Sequence, residues 1–153
     1  MDNQNLEISF SVDQTPEEVF DAVNNVRGWW SGDIEGGTDE AGAEFTYRYK
    51  DAHRSTQKIT EFVRGERIRW HVSDAMLNFV EDKTEWNGTD ILFEIGKKDG
   101  RTELRFTHIG LVPVCQCYGG CSGAWGYYIG DSLRSLITSG KGHPNEKQGE
   151  RTV

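Results

Sequence analysis

Apolar and polar residues alternate along much of the first 110 positions, and this period of two is typical of β-strands with one buried face. The first such run is residues 6–12, LEISFSV, which we predict as strand one. The connectors between later runs are short and rich in turn residues, as in Arg64-Gly65-Glu66, so we expect antiparallel hairpins. Five further strands are predicted, at residues 45–49, 54–63, 68–72, 91–95 and 104–108, with residues 77–80 a weaker candidate for one more.

Two other segments have the spacing of three to four residues that helices show. Thr15-Pro16-Glu17-Glu18 combines an N-cap residue, a proline at the first helical position and an acid at the third, which predicts a short helix to about Asn24. After Pro113, residues recur at this spacing over about twenty positions and predict a long C-terminal helix. They are Tyr118, Cys121, Trp125, Tyr128, Ile129, Ser132, Leu133 and Leu136.

The order of these elements predicts the fold class. A strand, one or two short helices, an antiparallel meander and a long helix make an α+β domain, in which the last helix covers the apolar face of a curved sheet of about six strands. Residues 31–44 contain four glycines, five acidic residues and no basic one, which predicts a mobile acidic loop. The 153 residues suit one domain, which we place at residues 1–144 with a polar tail at 145–153.

The charge balance narrows the class of partner. Twenty-five acidic residues against seventeen Lys and Arg leave a formal net charge of -8, so we expect neither nucleic acid nor an anionic membrane surface as the partner. The chain has no stretch of eighteen apolar residues, and its first ten residues lack the pattern of a signal peptide. We therefore expect a cytoplasmic protein without a membrane span.

Few residues indicate catalysis or metal binding. The sequence has no motif of a serine hydrolase, a zinc protease or a phosphate-binding loop, and we expect no cofactor. His71 and His108 lie in predicted strands, where a histidine is more often an edge or hydrogen-bonded core residue than a catalyst, so an enzyme is not the leading interpretation. Cys115, Cys117 and Cys121 are an odd number without zinc-site spacing, so we expect neither metal nor disulfide.

The aromatic residues are the most informative feature of the composition, with five Trp, five Tyr and seven Phe. They could simply form the core, or they could line a ligand pocket between the sheet and the C-terminal helix. In the second interpretation Glu61, His71 and Tyr47 are candidates to orient the ligand, although an exposed cross-strand ion pair with Arg69 is the commoner arrangement for a residue placed like Glu61. The other candidate lining residues are Trp29, Trp30, Phe45, Trp70, Phe93, Phe106, Trp125, Tyr128 and Ile129.

Four glycines, Gly119, Gly123, Gly126 and Gly130, fall on one side of the predicted C-terminal helix. Each interior glycine costs about 1 kcal/mol relative to alanine, so the stripe requires an explanation. Three interpretations are open. In the first, the first turns of this segment are not helical. In the second, the stripe lets the helix approach the Trp29-Trp30 segment or a ligand. In the third, the stripe forms a homodimer contact.

Several segments together resemble one family. They are FSVDQTPEEVF at residues 10–20, EWNGT at 85–89, THIGL at 107–111, WGYYI at 125–129, Ser132-Leu133, and GKGHP at 140–144. They are similar to single-domain proteins of the group named after the activator of the ninety-kilodalton heat-shock protein ATPase (AHSA-type domain), within the START-like, or polyketide-cyclase-like (SRPBCC), superfamily. The resemblance extends over about residues 5–144. It implies the helix-grip fold, an antiparallel sheet wrapped around a long C-terminal helix with a cavity between them.

The resemblance and the rings together lead to one expected function and two alternatives. We expect a non-enzymatic protein, monomer or homodimer, that binds a small hydrophobic or aromatic molecule between the sheet and the C-terminal helix. The first alternative is an interaction protein for a chaperone or stress-related partner. In the eukaryotic activators a separate amino-terminal domain does much of the chaperone binding, and we expect none within these 153 residues. The second alternative is an aromatase- or cyclase-like enzyme with an acid or base inside the cavity.

Overall fold

The computed structural model describes residues 5–30, 34–49, 53–77, 86–112 and 118–142, which form a seven-stranded antiparallel sheet with helices on one face. The strands are β1 (Leu6–Val12), β2 (Ile34–Gly36), β3 (Glu44–Tyr49), β4 (His53–Val63), β5 (Arg67–Leu77), β6 (Asp90–Lys98) and β7 (Arg101–Ile109). The helices are α1 (Pro16–Asn24), α2 (Val26–Trp29), α3 (Tyr118–Tyr127) and α4 (Arg134–Ser139), and a π-helical segment (Tyr128–Leu133) joins α3 to α4. We call residues 118–139 the C-terminal helix. The predicted α+β helix-grip architecture is confirmed.

One face of the sheet carries the core. The strand order is β1-β7-β6-β5-β4-β3-β2, and along β5 every second residue, Ile68, Trp70 and Val72, is fully buried. In β4 the pairing with β5 shifts by one residue between Ile59 and Glu61. A bulge of this kind moves the residues that follow it to the opposite face of the sheet.

The seventh strand, β2, lies in the segment that the sequence predicts as a loop. Ile34 pairs with Tyr47 of β3, and the Arg27 guanidinium donates hydrogen bonds to the carbonyl oxygens of Ile34 and Gly36 at 2.8 and 2.9 Å. The loop prediction for residues 31–44 is therefore wrong at these three positions, and also at Glu44, the first residue of β3. Partners distant in the sequence hold them in a strand, and no local pattern of hydrophobic residues marks it.

The start of α1 is the capping box that the sequence predicts. The Thr15 hydroxyl accepts a hydrogen bond from the Glu18 N–H at 3.1 Å, and the Glu18 carboxylate accepts one from the Thr15 N–H at 2.9 Å. Both bonds join residues three apart, so the local sequence is enough to begin the helix here. Two other predictions, a strand over residues 78–80 and a polar tail at 145–153, fall outside the described residues.

The C-terminal helix is helical from Tyr118, the first residue described in this part of the chain, so the interpretation of its first turns as non-helical is wrong. A Cβ added at any of the four glycines of the stripe would meet no neighbouring atom within 4 Å. The close approach to the Trp29-Trp30 segment is therefore wrong as well, and the stripe faces open space.

No described helix is long and apolar enough to span a membrane. The π-helical segment carries four buried residues: Tyr128, Ile129, Ser132 and Leu133.

Candidate functional site

Eight aromatic side chains from different elements pack together between the sheet and the C-terminal helix, and we call them the ring core. Trp30, directly after α2, stacks on Tyr47 of β3 with ring centroids 4.0 Å apart and planes within 10°. Trp30 also contacts Trp125 of the C-terminal helix at 5.0 Å, so it bridges the sheet and the helix. The members, each at most 2% exposed, are Trp29, Trp30, Phe45, Tyr47, Trp70, Phe93, Phe106 and Trp125.

Trp70 of β5 lies in the middle of the ring core. The centroids of Phe45 and Phe93 are each 4.9 Å from its own, in edge-to-face arrangements. Trp29 and Trp30 lie nearly parallel to it at 6.4 and 6.0 Å. Ring pairs at these distances add to the stabilisation from burial. The rings that the sequence proposes as lining residues therefore do converge, and at these contacts they fill the space between them.

Two hydrogen bonds hold the short helix α2 in place and with it the position of Trp29. The Trp29 indole N–H donates to the Val23 carbonyl at 3.0 Å, and the Ser132 hydroxyl donates to the Trp29 carbonyl at 2.7 Å. The remaining candidates from the C-terminal helix, Tyr128 and Ile129, are buried on the same helix as Ser132. The position of α2 is thus set by its contacts with α1 and the C-terminal helix.

Trp86, which no periodic pattern predicts as a lining residue, extends the aromatic packing. Its ring lies nearly parallel to Trp125 at 5.8 Å and edge-on to His108 at 4.7 Å. The His108 Nδ1 accepts a hydrogen bond from the Trp125 indole at 3.1 Å, and its Nε2 lies 2.9 Å from the Thr89 hydroxyl. A neutral ring with its proton on Nε2 satisfies both contacts. His108 is therefore a hydrogen-bonded core histidine.

Two polar side chains of β4 also face the interior, and no sequence pattern predicts either of them. Ser55 and Gln57 are fully buried, and the Gln57 amide N–H donates to the Ser55 hydroxyl at 2.6 Å. The Gln57 Oε1 and the Trp70 indole N–H are buried without a hydrogen-bond partner. Because β4 has polar residues on both faces, its sequence alone does not show which ones point inward.

Glu61 and His71 lie on the opposite face of the sheet from the ring core. The register shift before Glu61 turns Phe62 inward and leaves Glu61 facing Arg69 across the outer face. Glu61 pairs with Arg67 at 3.6 Å. The expected partner, Arg69, lies opposite Glu61 on β5 but pairs with Asp90. The structure therefore brings Tyr47, but neither Glu61 nor His71, together with the rings.

Asp90 connects two cationic groups on that outer face. Its Oδ2 accepts a hydrogen bond from the Arg69 Nε at 2.7 Å and lies 2.6 Å from the Arg69 Nη2, and its Oδ1 lies 2.7 Å from the His71 Nδ1. Burial alone would raise the pKa of Asp90, but the hydrogen bonds and charges of His71 and Arg69 outweigh it, and the pKa of Asp90 is lowered. The carboxylate is therefore stabilised in its charged form.

Replacing Asp90 with asparagine is expected to lower the free energy of unfolding by about 1 kcal/mol at neutral pH, because charge-assisted hydrogen bonds are weakened. Since the folded pKa is lowered, this contribution is fully present above the unfolded value of about 3.9 and is lost as the pH falls through the folded value. Urea titrations of the wild type and of Asp90→Asn, at neutral pH and near pH 2, measure this difference in the free energy of unfolding.

The matched control is Asp74→Asn, which removes the partner of Arg54 at a site where the Asp74 side chain is 56% exposed. It should change stability little, because exposed ion pairs contribute about 0–1 kcal/mol. A gap between the wild type and Asp90→Asn that stays the same at acid and neutral pH would contradict the role given to Asp90.

Cys121 is a buried free cysteine on the C-terminal helix. Cys115 and Cys117 lie outside the described residues, so the expectations for them stay predictions. Within the described parts of the chain, His, Cys, Asp and Glu side chains form no cluster of three or more that could hold a metal ion.

Comparisons with known proteins agree with this architecture. The family model described as "Activator of Hsp90 ATPase homolog 1-like protein" matches residues 13–138. No protein with curated annotation matches the sequence significantly.

Solved structures with the same fold are distant in sequence. The Aha1 dimer from Colwellia psychrerythraea is 22% identical with a TM-score of 0.72, over 90% of this chain and 98% of that one. The protein SSP2350 from Staphylococcus saprophyticus is 18% identical with a TM-score of 0.64, over 90% and 94%. DynU16, a protein of the dynemicin biosynthetic locus, is 14% identical with a TM-score of 0.64, over 95% of this chain and 51% of its own. These similarities establish the fold.

Proposed function

This chain belongs to the family of activator of Hsp90 ATPase homolog 1-like proteins, and from that premise we propose that it binds a small hydrophobic or aromatic molecule between the sheet and the C-terminal helix. The binding residues in this proposal are the ring core together with Tyr128 and Ile129. Glu61 and His71 are left out of it because they lie on the other face of the sheet. The protein acts in the cytoplasm in this proposal and needs no cofactor.

The observation that carries the proposal is the pair of unpartnered polar atoms in the interior. Gln57 Oε1 can only accept a hydrogen bond and the Trp70 indole N–H can only donate one, and both are buried without a partner. A buried polar group left unpaired costs about 1–3 kcal/mol. A ligand that donates to Gln57 and accepts from Trp70 removes that cost. The ligand-bound form is thereby favoured over the empty one.

The surroundings of this pair indicate the chemistry of the ligand. The ring core offers flat aromatic faces, which favour a planar apolar partner. The buried polar side chains of the described residues include no Asp, Glu, Lys or Arg, so the interior has no charge to neutralise a charged ligand. Transfer of an unpaired charge into such an interior is very unfavourable. A neutral, ring-containing molecule with a hydroxyl or amide donor fits best.

Because the rings contact one another, binding requires part of the ring core to move. Trp30 is the side chain that can move most easily, because it follows α2, a helix of only four residues. It lies between Tyr47 and Trp125. Ligand binding should therefore change the indole fluorescence of the protein.

The test is a panel of fatty acids, flavonoids and polycyclic aromatic compounds, followed by intrinsic fluorescence and thermal stability. We expect a neutral hydroxylated aromatic to quench or shift the fluorescence and to raise the Tm. Gln57→Leu should weaken its binding about tenfold, the effect of one lost hydrogen bond of about 1.4 kcal/mol. The same variant should change the Tm of the empty protein little, because the removal of an unpaired acceptor offsets the loss of the amide's hydrogen bond to Ser55.

The matched control is Lys58→Met, which changes the exposed neighbour of Gln57 on the outer face of β4. It should leave ligand affinity unchanged. A panel without any fluorescence change or thermal stabilisation, or an equal loss of affinity in Gln57→Leu and Lys58→Met, would rule the proposal out.

A second candidate function is an interaction with a chaperone or stress-related partner, favoured by the family match itself. Its test is the ATPase rate of the ninety-kilodalton heat-shock chaperone from the same host with added protein. We expect little or no stimulation, and a saturable increase of several fold would place this function first. A cyclase-like reaction needs an acid or base in the interior, and His108, the described histidine that faces it, has both ring nitrogens in hydrogen bonds.

A further inference from the structure

The two edges of the sheet differ in how their backbone groups are satisfied. The strand order places β2 at one edge and β1 at the other. In β2 the Gly37 N–H, just after the strand, donates to the Glu44 carbonyl of β3, so by alternation Ile34 and Gly36 point away from β3. The Arg27 guanidinium donates to both of their carbonyl oxygens. The β2 edge is therefore closed within the molecule.

The edge formed by β1 is open along its whole length. All seven residues pair with β7 without a register shift. The Leu6 N–H donates to the carbonyl of Leu111, just beyond β7, at 3.0 Å, so by alternation the backbone groups of Glu7, Ser9 and Ser11 point away from β7. In the described parts of the chain no hydrogen bond reaches those outward groups. They remain available to another strand.

This edge also lacks the features that usually protect an exposed strand. Edge strands in monomers typically carry a proline, a lysine, a bulge or a charge that points inward. The segment LEISFSV has none of these, and its one charged side chain, Glu7, is exposed on the outer face. We propose that β1 pairs with β1 of a second copy of this chain, antiparallel and centred on Ser9, so that two sheets become one. The proposal does not depend on a ligand of the ring core.

The inner face of β1 gains cover from such pairing. Leu6, Ile8 and Phe10 are only half-buried, although the residues opposite them on β7 are fully buried. Their uncovered surface therefore lies on the side away from β7. In the register centred on Ser9, Ile8 lies opposite the partner's Phe10 and Leu6 opposite the partner's Val12. Apolar side chains thus meet apolar ones, and their burial favours association.

The outer face of the pair carries no repulsion. Ser9 lies opposite the partner's Ser9, and Glu7 lies opposite the partner's Ser11, so no like charges face each other. The outward N–H and C=O groups of these residues then hydrogen-bond across the pair as in any antiparallel ladder. The seven-residue sequence is therefore complementary to itself in hydrophobicity and in charge.

The closed edge limits the assembly to two copies. A β1 pair uses the open edge of both copies, and each edge that remains is a β2 strand closed by Arg27. A two-fold contact between identical surfaces leaves no open surface of the same kind. The expected assembly is therefore a dimer and not a fibre.

The experiment is analytical ultracentrifugation of the full chain over a wide concentration range. We expect a reversible monomer–dimer equilibrium, because one pair of strands makes a small interface. Ser9→Glu places two carboxylates opposite each other at the two-fold axis and should raise the dissociation constant about fivefold, which corresponds to about 1 kcal/mol. In the monomer Ser9 is exposed and its neighbour on β7 is Arg105, so the fold should tolerate the change. Circular dichroism checks that it does.

The matched control is Ser73→Glu, the same substitution at an exposed position of β5 in the middle of the sheet, which should leave the dissociation constant unchanged. A second variant, Ser9→Lys, should weaken the dimer as Ser9→Glu does. An equimolar mixture of the two Ser9 variants should dimerise at lower total concentration than either alone, because opposite charges then face each other at the axis.

Three outcomes would overturn the proposal. The chain could stay monomeric at every concentration, which would leave the β1 edge to a strand of a different protein. The wild type and Ser9→Glu could dimerise equally well, which would place the contact on another surface. The mixture of the two Ser9 variants could dimerise no better than each variant alone, which would exclude Ser9 from the two-fold axis.

Discussion

Replacing Trp70 with alanine is expected to lower the free energy of unfolding by about 4 kcal/mol. Trp70 is fully buried and contacts rings from β3, β6 and α2, so its removal leaves a cavity that this close-packed cluster closes only in part. Chemical denaturation followed by far-ultraviolet circular dichroism measures the loss without relying on the tryptophan signal.

Two control variants separate the cavity from other effects. Trp70→Phe keeps a ring and removes the unpartnered indole N–H, so we expect less than half the loss seen with alanine. His71→Ala changes the next residue on the outer face of β5 and should cost about 1 kcal/mol or less. A loss below about 1 kcal/mol in Trp70→Ala would show that the rings are not close-packed in solution.

Replacing Gly142 with alanine is expected to destabilise the protein by about 2–3 kcal/mol, the usual range for an overpacked site. An added Cβ would overlap the backbone carbonyl oxygen of Gly28 in α2 and lie 3.2 Å from that of Ser132. Neither atom can rotate away as a side chain can. The segment is also held by a hydrogen bond from the Ser135 hydroxyl to the Lys141 carbonyl at 2.8 Å.

The effect of Gly142→Ala should reach the ring core, because Gly28 directly precedes Trp29 and Trp30. We expect a changed tryptophan emission spectrum together with the lower stability. The matched control is Gly126→Ala, where an added Cβ meets nothing within 4 Å and stability should rise by up to about 1 kcal/mol. Equal stability of both variants and the wild type would contradict the close approach of the C-terminal segment to α2.

Local sequence patterns predict the elements that depend on local interactions. Residues 6–12 alternate between apolar and polar, and β1 covers the same seven residues. The capping box of Thr15 and Glu18 begins α1 where expected. The strand β2 has no such signal, since it is held by Tyr47 and Arg27. Chain neighbours determine the first two features and distant partners determine the third.

The candidate site also combines features that chain neighbours determine with features that distant partners determine. The rings could be predicted from their positions in apolar strand and helix faces, but Trp86 stands in a turn outside any periodic pattern. Glu61 is assigned to the wrong side by simple alternation, because the bulge in β4 shifts the register before it.

By itself, the sequence determined the α+β class, the order of the elements apart from β2, the family, and the rings that share the interior apart from Trp86. Each of these depends on periodicity, capping, motifs or composition read along the chain. Only the tertiary structure decided which polar atoms are buried without partners and which face Glu61 and His71 occupy. Those properties depend on strand register and on contacts between distant segments. A shift of one residue changes them without altering any local pattern.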